Sequence, residues 1–204
     1  LGERAGAAVG RLVSKGLQDF HATNCCLTDG FMEALEAAAA QGQLRRLDVS
    51  ANRGLGESAG AAVGRLVSKG LQDFHAHCCS LPDDFMEALE AAAAQGQLRR
   101  LDVSANRGLG ESAGAAVGRL VSKGLQDFCA NGCGLTDEFM EALGAAAAQG
   151  QLQKFNLDNN WDLGERAGAA VGRLMNRGLQ DIGDGHGLTA AFKEALEAAA
   201  APGQ

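Results

Sequence analysis

Histidine, cysteine and aspartate side chains near the middle of this 204-residue chain could bind a metal or carry out a reaction. His75 and His77 stand close together beside Cys78, and Asp102 occupies the place equivalent to His75 one repeat further along. Imidazole, thiolate and carboxylate groups are ligands for Zn²⁺ and related ions. A thiol such as that of Cys129 can instead act as a nucleophile when a base lies within hydrogen-bond reach. Both chemistries depend on the elements that position these residues.

The chain consists of a 54-residue unit that recurs with few changes. The string LGERAGAAVGRLVSKGLQDF opens the chain, and nearly the same string returns at Leu55, Leu109 and Leu163. The first two units differ only at the pairs Arg4/Ser58, Thr23/His77, Asn24/Cys78, Cys26/Ser80, Thr28/Pro82 and Gly30/Asp84. Self-similarity at a fixed period of this size predicts a solenoid, in which each unit buries its apolar face only by stacking on its neighbours.

Each unit divides into two equal halves that share one pattern. Apolar residues at positions 1, 4 and 6 precede Asn or Cys at position 9, as Leu44, Leu47 and Val49 precede Asn52. The alternation through positions 4 to 6 predicts a short strand, and the helical spacing of apolar residues after it predicts a helix. Seven such strands and eight helices are predicted along the chain.

This pattern, LxxLxLxxN/C followed by a helix of about 12 residues, resembles leucine-rich repeats of the ribonuclease-inhibitor type, which also alternate two repeat classes. The resemblance covers residues 1–204, which we treat as one domain of about seven and a half 27-residue repeats. It implies an α/β solenoid (horseshoe) with a parallel β-sheet on the concave side and α-helices on the convex side, and a function in macromolecular recognition. The Asn-containing halves depart from it, because Arg53-Gly54 adds one residue before Leu55.

The cysteines have a structural explanation. Three of them, Cys25, Cys79 and Cys133, occupy position 9, where the other half carries Asn52, Asn106 and Asn160. A buried thiol or amide at this position can hydrogen-bond the backbone that turns after each strand, so we predict structural thiols there. Cys26, Cys78 and Cys129 lie at other positions, and no CxxC pair has zinc spacing. Unpaired thiols fit a reducing compartment and predict a cytoplasmic location.

Positions 2, 3, 5, 7 and 8 of each half are expected to point to the concave side or its rim, so equal positions form ladders across the sheet. Position 3, here called the first ladder, alternates in sign: Asp19, Arg46, Asp73, Arg100, Asp127, Lys154, Asp181. Each cation is therefore expected to lie between two anions. Position 5, the second ladder, reads His21, Asp48, His75, Asp102, Cys129, Asn156, Gly183.

The order of residues in the second ladder argues against both a nucleophilic thiol and a metal site. His75 and Cys129 lie two strands apart, about 10 Å at the usual strand spacing, which is beyond hydrogen-bond reach. A metal at His75, His77, Asp102 and Cys78 is an alternative, but its ligands would lie on a shallow open sheet. The glycine-rich stretch 183–187 superficially resembles a phosphate-binding loop, yet it falls where the last repeat has lost one residue. We predict no catalytic residue, no metal and no cofactor.

Differences between the units favour a binding surface. The second and third units differ at 16 positions, which are His75/Cys129, His77/Asn131, Cys78/Gly132, Ser80/Gly134, Pro82/Thr136, Asp84/Glu138, Glu90/Gly144, Arg99/Gln153, Arg100/Lys154, Leu101/Phe155, Asp102/Asn156, Val103/Leu157, Ser104/Asp158, Ala105/Asn159, Arg107/Trp161 and Gly108/Asp162. Most lie at concave or loop positions, while the exposed helix faces barely change. This clustering favours a diversified binding face, with drift or recent duplication as the alternative.

The largest change in side-chain type among these differences is at Trp161. It replaces Arg53 and Arg107 on a rim loop rich in acidic residues. An exposed Trp in such surroundings predicts an anchor for a basic or mixed partner surface. The alternative is that Trp161 simply folds over its own loop. The predicted partner-binding residues are His21, Arg45, Arg46, Asp48, His75, His77, Arg99, Arg100, Asp102, Asn131, Asp158, Asn159, Trp161 and Asp162.

Composition narrows the class of partner. The formal net charge of −7 argues against nucleic acid and mildly favours a basic protein partner. No run approaches the roughly 18 apolar residues that a membrane-spanning helix needs, so no membrane contact is predicted. The first and last helices match the internal ones and lack a polar cap, so the chain is either a piece of a longer array or a homo-oligomer that stacks through its ends.

These observations predict a non-enzymatic protein–protein interaction module that binds a macromolecular partner through the concave face and the adjacent loops. The alternative is a structural, self-assembling or consensus-engineered repeat scaffold that stacks through uncapped ends.

Overall fold

A computed structural model describes residues 1–39, 44–93, 97–147 and 152–200. Eight helices, α1 to α8, span Glu3–Val13, Asp29–Ala38, Glu57–Ser68, Asp83–Ala92, Glu111–Ser122, Asp137–Ala146, Glu165–Met175 and Ala190–Ala200. Six strands, β1 to β6, span Asp19–His21, Arg46–Asp48, Asp73–His75, Arg100–Asp102, Asp127–Cys129 and Lys154–Asn156. The strands form one parallel sheet in chain order, which confirms the α/β solenoid with its sheet on the concave side and its helices on the convex side.

The register of the sheet follows the period of the repeat. Phe20 pairs with Leu47, and Leu47 in turn pairs with Phe74, so equal positions of successive halves lie side by side. Phe20 and Phe74 of the strands stack on Phe31 and Phe85 of the helices that follow, with 6.3 and 6.1 Å between ring centroids, whereas Phe128 contacts Phe155 of the next strand at 5.1 Å. The apolar position 4 is thus the link that packs the sheet onto the helices.

The prediction of a seventh strand is wrong within the described residues. The last repeat retains only a single bridge between Lys154 and Asp181. Three glycines follow it in the left-handed region, at φ +85° for Gly183, +73° for Gly185 and +74° for Gly187. The chain therefore leaves the extended conformation soon after the bridge, because the missing residue removes the regular turn.

A buried row of amides and thiols joins the halves, as the alignment of position 9 predicts. The Asn106 side chain is fully buried, and its Oδ1 accepts hydrogen bonds from the backbone N–H groups of Cys79 and Leu81 at 2.9 and 3.1 Å. Its Nδ2 donates to the carbonyl oxygens of Ala76 and Val103 at 2.8 and 2.7 Å. Asn52 and Asn160 make equivalent bonds.

Two of the position-9 thiols continue this row, which confirms the structural role of Cys79 and Cys133, whereas Cys25 is half-buried and donates only to the Thr23 carbonyl oxygen. The Cys79 thiol donates to the Val49 carbonyl oxygen at 3.3 Å, and the Cys133 thiol donates to that of Val103 at 3.2 Å. Burial raises the pKa of Cys133 to about 11, so this thiol stays protonated at neutral pH. All six cysteines are unpaired.

Ion pairs on the convex side join the helix of one half to the helix of the next. The Glu90 carboxylate contacts Arg119 Nε and Lys123 Nζ, each at 2.7 Å, and Lys123 also donates to the Glu90 carbonyl oxygen. Glu36 makes the same contacts with Arg65 and Lys69. Burial alone would raise the pKa of Glu90, but hydrogen bonds from Lys123 and Arg119 lower it overall.

Glu90→Gln is expected to make the free energy of unfolding depend less on pH under acidic conditions. The pKa of Glu90 is lower in the folded chain than its usual 4.5, so the carboxylate stabilises the fold above pH 4.5 and loses this effect as pH falls through the folded-state pKa. At pH 7 the substitution should cost about 1–3 kcal/mol, because charge-assisted hydrogen bonds are lost. Urea unfolding at pH 7 and at pH 3 measures both effects. The exposed Glu87→Gln is the control, and an unchanged pH dependence in Glu90→Gln would contradict the assignment.

The two ends of the solenoid differ, contrary to the prediction that both present the same stacking surface. On the first helix Leu12 is 53% exposed, whereas its counterparts Leu66 and Leu120 are 2% exposed. On the last helix the exposed Lys193 occupies the place of Met86 and Met140, which are fully buried. The first helix therefore exposes an apolar side chain that the equivalent inner helices bury, and the last helix carries a charge where the inner helices carry a buried Met.

Candidate functional site

The six strands bring the two ladders together on the concave face. In the first ladder Arg46 pairs with Asp73 at 3.1 Å, and Arg100 pairs with Asp127 at 2.9 Å. Each arginine therefore reaches the strand that follows it. Within the described ranges neither Asp19 nor Lys154 makes an ion pair within 4.0 Å. The two arginines therefore contact an anion on one side only, and Lys154 on neither side, where two contacts were expected for each cation.

The second ladder pairs each histidine with the carboxylate of the next strand. The Nδ1 atom of His21 lies 3.6 Å from Asp48 Oδ2, and that of His75 lies 3.7 Å from Asp102 Oδ2. Burial alone would raise the pKa of Asp102, but the neighbouring His75 imidazole and hydrogen bonding from Ser104 lower it overall. The Asp102 carboxylate thus lies between His75 and the backbone N–H of Ser104, which donates to it at 2.9 Å.

The geometry does not favour the metal site or the nucleophilic thiol that the sequence suggested as alternatives. No group of three or more His, Cys, Asp or Glu residues comes close enough there to hold a metal ion, so the alternative at His75, His77, Asp102 and Cys78 has no ligand set. Cys129 borders Asp102 in the register, and burial first, then the negative charge of Asp102, raises the pKa of its thiol. A protonated thiol beside a carboxylate is a poor nucleophile.

The second ladder loses side-chain size toward its last strands, and the concave face deepens there. A depression of about 300 Å³ opens where Asp102 gives way to Cys129, Asn156 and Gly183. It is lined by His75, Arg100, Asp102, Asp127, Cys129, Lys154, Phe155, Asn156, Asp181 and Gly183. Charged groups of the first ladder thus border a floor of small side chains, which suits the binding of a protruding group.

A second recess lies on the rim beside Trp161. It measures about 330 Å³ and is lined by Arg107, Gly132, Gly134, Asn159, Trp161 and Asp162; we call it the rim recess. Trp161 is 68% exposed, and its indole lies against Gly187, where a Cβ atom would come within 3.1 Å of Cε2. The Asn159 side chain donates to Asn131 Oδ1 at 3.2 Å and fixes the neighbouring loops.

Asp158 has a different role from the predicted one. It is 7% exposed, and its Oδ1 and Oδ2 atoms accept the backbone N–H groups of His186 and Asp184 at 3.0 and 3.4 Å. The glycine-rich stretch 183–187 therefore surrounds a carboxylate of this chain, as an irregular turn. We assign Asp158 a structural role, and the surface proposed below does not use it.

The predicted contact residues fall into two groups. The last strands and loops bring together Arg100, Asp102, Asn131, Asn159, Trp161 and Asp162 around the two recesses, with Arg99 exposed beside them. The earlier strands and loops carry His21, Arg45, Arg46, Asp48 and His77, while His75 borders the concave depression.

Several lining residues were missed by the sequence prediction. They are Arg107, Asp127, Cys129, Gly132, Gly134, Lys154, Phe155, Asn156, Asp181 and Gly183. The available signal was the fall in side-chain size along the second ladder and at positions 8 and 10 of the third unit.

The comparisons with known proteins concern the fold. No protein-family model matches the chain. The chain is similar to the crystal structure of the Rad7 and Elc1 complex in yeast, with 17% identity and a TM-score of 0.51. The match covers 84% of this chain and 51% of that chain, so this chain spans about half its length.

No helix of the described residues is both long and apolar enough to cross a membrane. The repeated strand–helix units, together with the likeness to the yeast complex, give this chain the fold of a leucine-rich-repeat solenoid.

Proposed function

We propose that the chain is a non-enzymatic protein-interaction module, similar to the ribonuclease-inhibitor type of leucine-rich repeat, which binds a partner through the concave face and rim of its last three strands. One observation carries this proposal. Nine of the 16 positions that distinguish the third unit from the second line the concave depression or the rim recess.

The pattern of change supports selection for binding over drift. Exposed helix residues such as Glu57 and Glu87 are unchanged in the third unit, although a substitution there would cost little stability. Drift would alter such positions as readily as the concave ones. The contrast therefore favours a surface whose side chains were diversified for contact.

A basic protein is the partner that the charge favours. The chain carries a net charge of −7, and Asp162, Asp181 and Asp184 are exposed near the two recesses. The similar yeast structure is itself a complex of two proteins, which supports a protein partner. The unpaired cysteines are consistent with a reducing compartment, and we propose the cytoplasm.

Trp161→Arg is expected to weaken partner binding about 30-fold, equivalent to about 2 kcal/mol, because it removes a central aromatic anchor. The substitution restores the residue that the first two units carry as Arg53 and Arg107, so the loop accepts it. Affinity capture with quantification of each retained protein tests this, with the convex-face variant Glu87→Gln as the control. We expect a protein retained by wild type and Glu87→Gln that Trp161→Arg loses; equal retention by all three would contradict the proposed surface.

Self-assembly is a second candidate function, favoured by the exposed apolar side chain of Leu12 on the first helix. The 53% exposure of Leu12 contrasts with its fully stacked counterparts, while Lys193 opposes a regular head-to-tail stack. Light scattering over a wide concentration range separates the candidates. The interaction module predicts a monomer throughout, whereas self-assembly predicts a mass that grows with concentration and that Leu12→Glu restores to the monomer.

A further inference from the structure

The rim recess exists because two side chains are absent from its floor. Gly132 and Gly134 stand where the second unit has Cys78 and Ser80. A Cβ atom built on either glycine would meet nothing within 4 Å, so the space above the loop is open. The recess is therefore a particular feature of the third unit.

An arginine and a tryptophan form opposite walls of this recess. Arg107 lies in the loop after β4 and Trp161 in the loop after β6, so the glycine loop after β5 lies between them. Two strand spacings separate the backbones of these two loops by about 10 Å, and a recess of about 330 Å³ lies between them, which is a size that one flat side chain can fill. Among the residues that the structure describes, Arg107 makes no ion pair within 4.0 Å, so its guanidinium is available.

The charged residues at the rim recess determine whether a cationic, an anionic or a neutral side chain binds there most favourably. Arg107 would repel a cationic side chain, and Asp162 would repel an anionic one. A neutral aromatic ring is attracted by both walls, through a cation–π contact with Arg107 and ring stacking with Trp161. A nucleobase also has a flat ring, but the net charge of −7 and Asp162 oppose its phosphate.

We propose that the rim recess takes one aromatic side chain, Phe or Tyr, from the partner protein and holds it between Arg107 and Trp161. This inference rests on the proposed function and specifies its chemistry. Trp161 is backed by Gly187, so the wall is preorganised for a contact that otherwise costs ordering of a mobile ring.

The test uses the signal of Trp161 itself, because the chain contains one Trp and no Tyr. The indole N–H resonance is followed by NMR while acetyl-Gly-Phe-Gly-amide is added at millimolar concentrations. The same titration is repeated with comparison probes of other chemistry. These are matched peptides with Leu, Arg or Glu at the centre, and adenosine monophosphate. We expect a saturable shift with the Phe peptide and affinity at least fivefold weaker for every other probe.

Two variants locate the contact. Gly132→Asn combined with Gly134→Ser restores residues found in the first and second units, where Asn24 and Ser80 adopt φ of 54° and 56°, close to the +64° and +65° of the glycines. The filled recess should lose at least tenfold in Phe-peptide affinity with an unchanged far-UV spectrum. Arg107→Met removes the guanidinium group of one wall at an exposed position. It should weaken binding of the Phe peptide at least threefold.

Other outcomes would overturn the inference. The aromatic site would be excluded if the Phe peptide gave no saturable shift. It would also be excluded if both variants bound the Phe peptide as tightly as wild type does. Tighter binding of the Arg or Glu peptide would assign an ionic site, and tighter binding of the nucleotide would assign a base-stacking one. If the titration fails while Trp161→Arg still loses the captured partner, the aromatic assignment falls and the proposed function stands.

Discussion

Asn106→Ala is expected to lower the free energy of unfolding by about 3–5 kcal/mol, because each buried polar group left unsatisfied costs about 1–3 kcal/mol. The Asn106 side chain satisfies two backbone N–H groups and two carbonyl oxygens in a fully buried site, and alanine would leave these groups without partners. The residue also joins two successive halves of the solenoid. Urea unfolding followed by far-UV circular dichroism measures the loss.

Cys79→Ala is the matched control for this prediction. Cys79 occupies the same position of the neighbouring half and is equally buried, but its thiol donates to the Val49 carbonyl oxygen and only weakly to a second carbonyl. We expect a loss of about 1 kcal/mol, because a thiol hydrogen bond is weak and the volume change is small. Similar losses for Asn106→Ala and Cys79→Ala would mean that position 9 acts by filling space, contrary to the hydrogen-bond account.

Gly114→Ala is expected to cost about 3 kcal/mol through overpacking between adjacent helices. A Cβ atom at Gly114 would lie 2.3 Å from the Phe139 carbonyl oxygen and 3.0 Å from its carbonyl carbon. Because both contacts are with backbone atoms, the helices α5 and α6 must move apart to admit a methyl group. Thermal and urea unfolding of the variant measure the cost.

Gly144→Ala provides the control on helix α6, at a position that faces the next helix, α7. A Cβ atom there would meet the Ala170 side chain at 3.7 Å, which is ordinary contact. Alanine favours the helix over glycine by about 1 kcal/mol, so this variant should be as stable as wild type or more stable. If both variants behave alike, close approach of the helices is not the reason for glycine at position 114.

The period of the sequence was sufficient to predict the architecture and the ladders. Because the strand pattern repeats in every half, the register that places Asp48 beside His75 follows directly from the alignment of halves. The structural role of the position-9 thiols was predictable for the same reason, since Cys79 and Asn106 alternate at one buried site.

The predictions of a seventh strand and of a contact role for Asp158 failed where the repeat is interrupted. The missing residue near Gly183 changes the path of the last turn, which ends the seventh strand at one bridge and buries Asp158 against Asp184 and His186. A repeat alignment reports that a residue is absent but does not give the new backbone path. The two recesses were missed for another reason, because they arise from absent side chains on neighbouring strands.

Hydroxyl-radical footprinting of the complex with the captured partner tests the proposed binding surface most directly. Trp161 and Leu12 are exposed reporters, at 68% and 53%, one on the rim of the last strands and one on the open end. We predict that the partner lowers the oxidation rate of Trp161 several-fold and leaves that of Leu12 unchanged. Protection of Leu12 with undiminished oxidation of Trp161 would contradict the account and assign binding to the end of the solenoid.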